Sequence, residues 1–94
     1  MSTWLILMEE TVTTDGSATT RQVTTVRPLS GNRTREEALV ELFKAARSHV
    51  PDSLRSTARM AWRDADGSFW ILPRNANGKV HASCNIRLVE QIRP

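Results

Sequence analysis

From Lys79 to Leu88 polar and apolar residues alternate without interruption. Val80, Ala82, Cys84, Ile86 and Leu88 fall in one phase, and Lys79, His81, Ser83, Asn85 and Arg87 in the other. A period of two predicts a strand with one face on a core and the other face left over. Glu90 falls in the apolar phase, which predicts a bulge or the end of pairing there. Two further segments are apolar in both phases. Trp4, Ile6 and Met8 alternate with Leu5 and Leu7, and Phe69 and Ile71 alternate with Trp70 and Leu72. Runs of this kind are the mark of strands covered on both sides.

The remaining elements follow from local signals. Trp4 to Val12 and Arg21 to Arg27 read as strands joined in a long hairpin, with Asp15-Gly16 the point of reversal. Pro28 ends the second strand because it has no N–H for a ladder, and residues 29–33 form a loop. Thr34 and Glu37 make a capping box for a helix. Glu36 and Glu37 lie at its positive end, and Lys44, Arg47 and His49 near its negative end. Ala38, Leu39, Leu42, Phe43 and Ala46 form its apolar stripe, and Pro51 stops it. Thr57 to Arg63 alternates again, with Ala58, Met60 and Trp62 on one side and Thr57, Arg59, Ala61 and Arg63 on the other. Asp64-Ala65-Asp66-Gly67 turns the chain into the strand Ser68–Leu72, which Pro73 bounds, and Arg74-Asn75-Ala76-Asn77-Gly78 turns it into the last strand.

The sum is β-β-α-β-β-β, an α+β fold with one helix on a mostly antiparallel five-stranded sheet, residues 1–94 forming a single domain. The expected strand order is 2-1-5-4-3, with 2-1-3-4-5 the alternative; the first is preferred because the short, arginine-rich third strand suits an edge. One helix covers one sheet face. Each large apolar side chain left in water on the other forfeits roughly 1.5–3 kcal/mol, and contiguous exposed patches mark binding surfaces. A two-fold homodimer through the open face is the expected solution, ahead of a protein or small ligand. The bland alternative folds the helix and the 13–20 loop over both sides.

Composition and charge add little. Apolar residues make up 39% and charged residues 24% of the chain, and the net charge is +3. The whole excess follows Arg47, where seven basic residues meet four acidic ones. Arginine outnumbers lysine eleven to two, a skew that fits phosphate recognition but is the usual mark of a GC-rich genome. No segment approaches the roughly 18 consecutive apolar residues of a membrane span. The short run Trp4–Met8, followed by Glu9 and Glu10, lacks the build of a secretory signal. One cysteine allows no internal disulfide, so a cytoplasmic setting is expected.

Catalytic chemistry finds no constellation. His81 and Cys84 point to opposite faces, and no metal-ligand spacing exists. His81 and Ser83 share a face, but nothing resembles a nucleophile elbow. There is no phosphate-binding glycine loop. No catalytic residue, metal or cofactor is therefore assigned. The candidate binding face comprises Arg59, Arg63, Trp70, Lys79, His81, Ser83, Asn85 and Arg87. A basic sheet face carrying a tryptophan is also how single-stranded nucleic acid is read, which makes a nucleic-acid-binding module the alternative function.

The start Trp4-Leu5-Ile6-Leu7-Met8-Glu9-Glu10, the helix start Arg35-Glu36-Glu37-Ala38-Leu39 and the end Cys84-Asn85-Ile86-Arg87-Leu88-Val89-Glu90-Gln91-Ile92 resemble a group of small uncharacterised actinobacterial proteins. That resemblance implies a bacterial cytoplasmic protein and brings no assigned activity or functional residue. The reading from sequence is a non-catalytic interaction or regulatory module that self-associates through its open sheet face.

Overall fold

The computed structural model describes residues 2–13, 18–74 and 81–93, with His81 described through its backbone. The expected reversal at Asp15-Gly16, residues 75–78 of the second turn, and Lys79 and Val80 lie outside them. The elements are β1 (Trp4–Thr13), β2 (Thr19–Pro28), α1 (Arg35–Ser48), a 3-10 turn (Asp52–Leu54), β3 (Arg59–Arg63), β4 (Phe69–Pro73) and β5 (His81–Glu90). The strands form one antiparallel sheet in the order β2-β1-β5-β4-β3, the preferred order of the two.

Register fixes which side chains share a face. Ile6 stands opposite Leu88, Met8 opposite Ile86, and Glu10 opposite Cys84. Phe69 stands opposite Ile86 and Ile71 opposite Cys84. This face packs on α1 through Ala38, Leu42, Ala45 and Ala46, and Leu29 and Leu54 complete the buried cluster. Ile6 and Ile86 are fully buried, each worth about 1.5–3 kcal/mol relative to exposure. The Trp4 indole N–H donates to the carbonyl of Arg33 at 3.0 Å, which satisfies its one polar atom inside the cluster.

Local chemistry holds α1 in position. The Thr34 side chain accepts from the Glu37 N–H, and the Glu37 carboxylate accepts from the Thr34 N–H at 2.9 Å, the reciprocal cap expected. Glu41 pairs with Arg27 of β2 at 3.0 Å and with Arg33 at 3.8 Å, tying the hairpin to the helix. Farther along, Glu10 accepts from the Ser53 hydroxyl at 2.6 Å and from its N–H at 3.2 Å. The 3-10 turn thus lies against the same sheet face as α1.

Two irregularities matter. The β1–β2 register shifts between Ile6 and Leu7, so Val26 is an extra residue, and it packs against the core from the bulge. At the other end, pairing stops at Glu90, opposite Trp4, as its misplaced phase predicts; its carboxylate accepts from the Ser2 hydroxyl.

β3 departs from the sequence reading in length and in face. It starts at Arg59, not Thr57. The Asp64–Ser68 turn sets Arg63 opposite Phe69, Trp62 opposite Trp70 and Ala61 opposite Ile71. Because Phe69 and Ile71 face α1, Arg59, Ala61 and Arg63 lie on the helix side, and Met60 and Trp62 lie on the open side. Among the described residues no helix is long and apolar enough to cross a membrane.

Candidate functional site

The face turned away from α1 is continuous across all five strands. Val23, Glu9, Asn85, Trp70 and Trp62 form one line over it, each opposite the next in the ladders. Leu5 stands opposite Val89 and Leu7 opposite Arg87, while Trp70 and Leu72 of β4 stand opposite Trp62 and Met60 of β3. Two apolar areas result. One is formed by Leu5, Leu7 and Val89, all partly exposed. The other is the β3–β4 ledge, where Trp62 is 53% and Met60 37% exposed. The Trp70 indole N–H is held by the Asp64 carboxylate at 2.8 Å, which fixes the ring at the sheet margin.

A polar network separates these areas. Glu9 pairs with Arg21 at 3.1 Å and with Arg87 at 3.2 Å, one arginine on each carboxylate oxygen. Arg87 donates to Asn85 Oδ1 at 3.1 Å. Asn85 donates in turn to Ser68 Oγ at 3.2 Å and to the Phe69 carbonyl at 3.1 Å. The Ser68 hydroxyl donates to Asp66 at 2.6 Å, and this bond, followed by that from the Ser68 N–H, holds the Asp66 carboxyl below its usual range. The chain of bonds therefore runs from β2 to the β3–β4 turn.

The candidate residues divide. Trp70, Ser83, Asn85 and Arg87 share the open face, and the His81 backbone pairs opposite Thr13 at its far end. Asn85 is a buried, fully bonded strut and not a free polar group. Lys79 lies outside the described residues. Arg59 and Arg63 are on the other face. Arg59 donates to the Thr57 carbonyl at 3.2 Å, and Arg63 lies over the Phe43 and Phe69 rings, 5.5 and 5.4 Å from their centroids.

Sequence reasoning missed Glu9, Met60 and Trp62. Glu9 was recoverable, since it continues the phase of Leu5 and Leu7. The β3 pair was not, because alternation gives a strand two faces without saying which is inward. Only the register through the Asp64–Ser68 turn decides that.

Chemically the described side chains offer contact surface and directed hydrogen bonds. Among the described residues no group of three His, Cys, Asp or Glu side chains is close enough to hold a metal ion. Cys84 is buried, and burial, with a smaller contribution from Glu10, pushes its thiol up to about 12, far from a nucleophile's range. Near the end of α1, His49 Nε2 lies within hydrogen-bond distance of Met8 Sδ, at 2.9 Å. No family model matches the chain, and neither does any curated protein or solved structure.

Proposed function

We propose that this chain is a small interaction or regulatory module that pairs with a second copy of itself through the open sheet face. The observation behind this reading is the exposure of Trp62 beside Met60 on a face that carries Leu5, Leu7, Val89, Trp70 and Leu72. Two sheets stacked face to face pack about 10 Å apart through such side chains. The charges of the face suit a like partner, because Arg21 and Arg87 are already engaged by Glu9 and leave little field to repel a second copy. A nucleic-acid partner has less behind it, since those same arginines are paired and Arg59 and Arg63 belong to the opposite face. The single buried cysteine fits a reducing, cytoplasmic setting.

Sedimentation velocity from roughly 1 to 300 μM spans the range in which a micromolar dimer dissociates. The native chain is expected to move from monomer to dimer across it, and the double variant Trp62→Glu, Met60→Glu to stay monomeric. A native chain that is monomeric throughout overturns the proposal. Fluorescence anisotropy with mixed single-stranded DNA and RNA at low salt tests the alternative, and binding tighter than about 100 μM would favour it.

A further inference from the structure

On the helix side α1 stops short of β3, and an open groove runs between them. Two adjoining hollows of about 420 and 300 Å³ share Phe43, Arg63 and Phe69. Leu39 and Val40 extend the larger one; Ala46, Ala61 and Arg47 extend the smaller. The floor is apolar and open to solvent, with Val40 54% and Phe43 39% exposed.

Two guanidinium groups stand over this floor. Arg63 lies across Phe43 and Phe69, and Arg47 lies 5.5 Å from the Phe43 centroid. Among the described residues neither has a carboxylate within ion-pair distance. The acidic groups of the adjoining turn are engaged elsewhere. Asp64 accepts from the Trp70 indole and the Ala65 N–H, and Asp66 accepts from Ser68. With no carboxylate on either guanidinium, its N–H groups are available to a carboxylate, which they match through two parallel N–H···O bonds. Apolar floor and unneutralised cations together specify an occupant with a hydrocarbon body and one anionic head, and the larger hollow falls within the usual size of small-molecule sites, about 300–1,000 Å³.

We propose that this groove binds a small amphiphilic carboxylate. Its hydrocarbon lies on Leu39, Val40, Phe43 and Phe69, and its carboxylate sits on Arg63 with Arg47 beside it. The site is separate from the open sheet face and does not depend on self-association.

Isothermal titration of the full chain with sodium decanoate tests this. One saturable site is expected, with acetate and 1-decanol each at least about tenfold weaker because each lacks half of the recognition. Arg63→Gln is expected to weaken decanoate about tenfold or more, the effect of losing a charged hydrogen-bonding partner. Val40→Glu, which sets a like charge in the floor, is expected to do the same. Both positions are exposed, so far-UV circular dichroism should be unchanged, and Trp62→Ala on the open face should bind as the native chain does. Absence of saturable binding up to about 1 mM, undiminished binding by Arg63→Gln and Val40→Glu, or loss in Trp62→Ala would each overturn the proposal.

Discussion

Asn85 of β5 donates its side-chain amide to Ser68 Oγ at 3.2 Å, locking the final strand to the residue just before β4. Among the described residues the β4–β5 ladder runs from Phe69 to Ile71 against Ile86 to Cys84, and this bond and its companion to the Phe69 carbonyl reinforce its Phe69 end. Both residues are buried. Asn85→Leu would leave the Ser68 hydroxyl and Arg87 each short of a partner, at an expected cost of about 1–3 kcal/mol. Urea unfolding followed by circular dichroism measures it. Ser83→Ala, two residues away on the same face, should change stability by less than about 0.5 kcal/mol.

Cys84 provides a test of core integrity. With its thiol pushed up to about 12, first by burial and then by the Glu10 charge, almost no thiolate exists at neutral pH. A disulfide reagent such as dithionitrobenzoate should leave the native chain unmodified for hours and react at once in urea. Fast reaction under native conditions would mean that the β1–β5–β4 region opens.

The alternation of residues 82–88 and the Thr34–Glu37 cap were legible because each is decided within a few residues by its own period or its own side chains. Strand order was legible because the short, arginine-rich segment around Arg59 suits an edge. The inward face of that edge strand was not. Arg63 looks like a solvent residue and Trp62 like a core residue, yet the turn length pairs Arg63 with Phe69 and Trp62 with Trp70. A local preference thus yields to register, and the arginine is accommodated because its guanidinium lies within cation–π reach of Phe43 and Phe69. For the candidate face the same error had a larger effect, since it exchanged two arginines for a tryptophan and a methionine.

Acid should destabilise the chain through three carboxylates held below their ordinary values. Glu37 is lowered chiefly by the Thr34 N–H, Glu41 chiefly by its hydrogen bond from Arg27, and Asp66 chiefly by the Ser68 hydroxyl. In each case the unfolded chain takes up the proton first. Their contribution is therefore complete above the unfolded values, 4.5 for the glutamates and 3.8 for the aspartate, and is lost as pH falls through the lower folded values. The melting temperature is expected to hold down to about pH 5 and to drop below it. Glu41→Gln should flatten the drop, and about 1 M salt should weaken the part due to its ion pairs.

Trp62 and Phe69 are large aromatic residues flanking the same β3–β4 turn, and their substitutions should differ most. Phe69 is buried against α1, in ring contact with Phe43 at 5.8 Å between centroids. Phe69→Ala therefore opens a cavity in the core and should cost about 3–5 kcal/mol, close to the whole stability of a chain this size. Trp62 is half exposed on the open face, and Trp62→Ala removes only the covered half of the ring without opening a core cavity, so at micromolar concentration it should cost clearly less than Phe69→Ala, about 1–2 kcal/mol. Self-association changes this in one direction only. Anything that binds the native state alone stabilises it by mass action, so the native chain should melt at higher temperature as its concentration rises. The Trp62→Ala chain should not. Melting curves of both chains at a low and a high concentration separate a buried core aromatic from one that becomes buried only against a second copy.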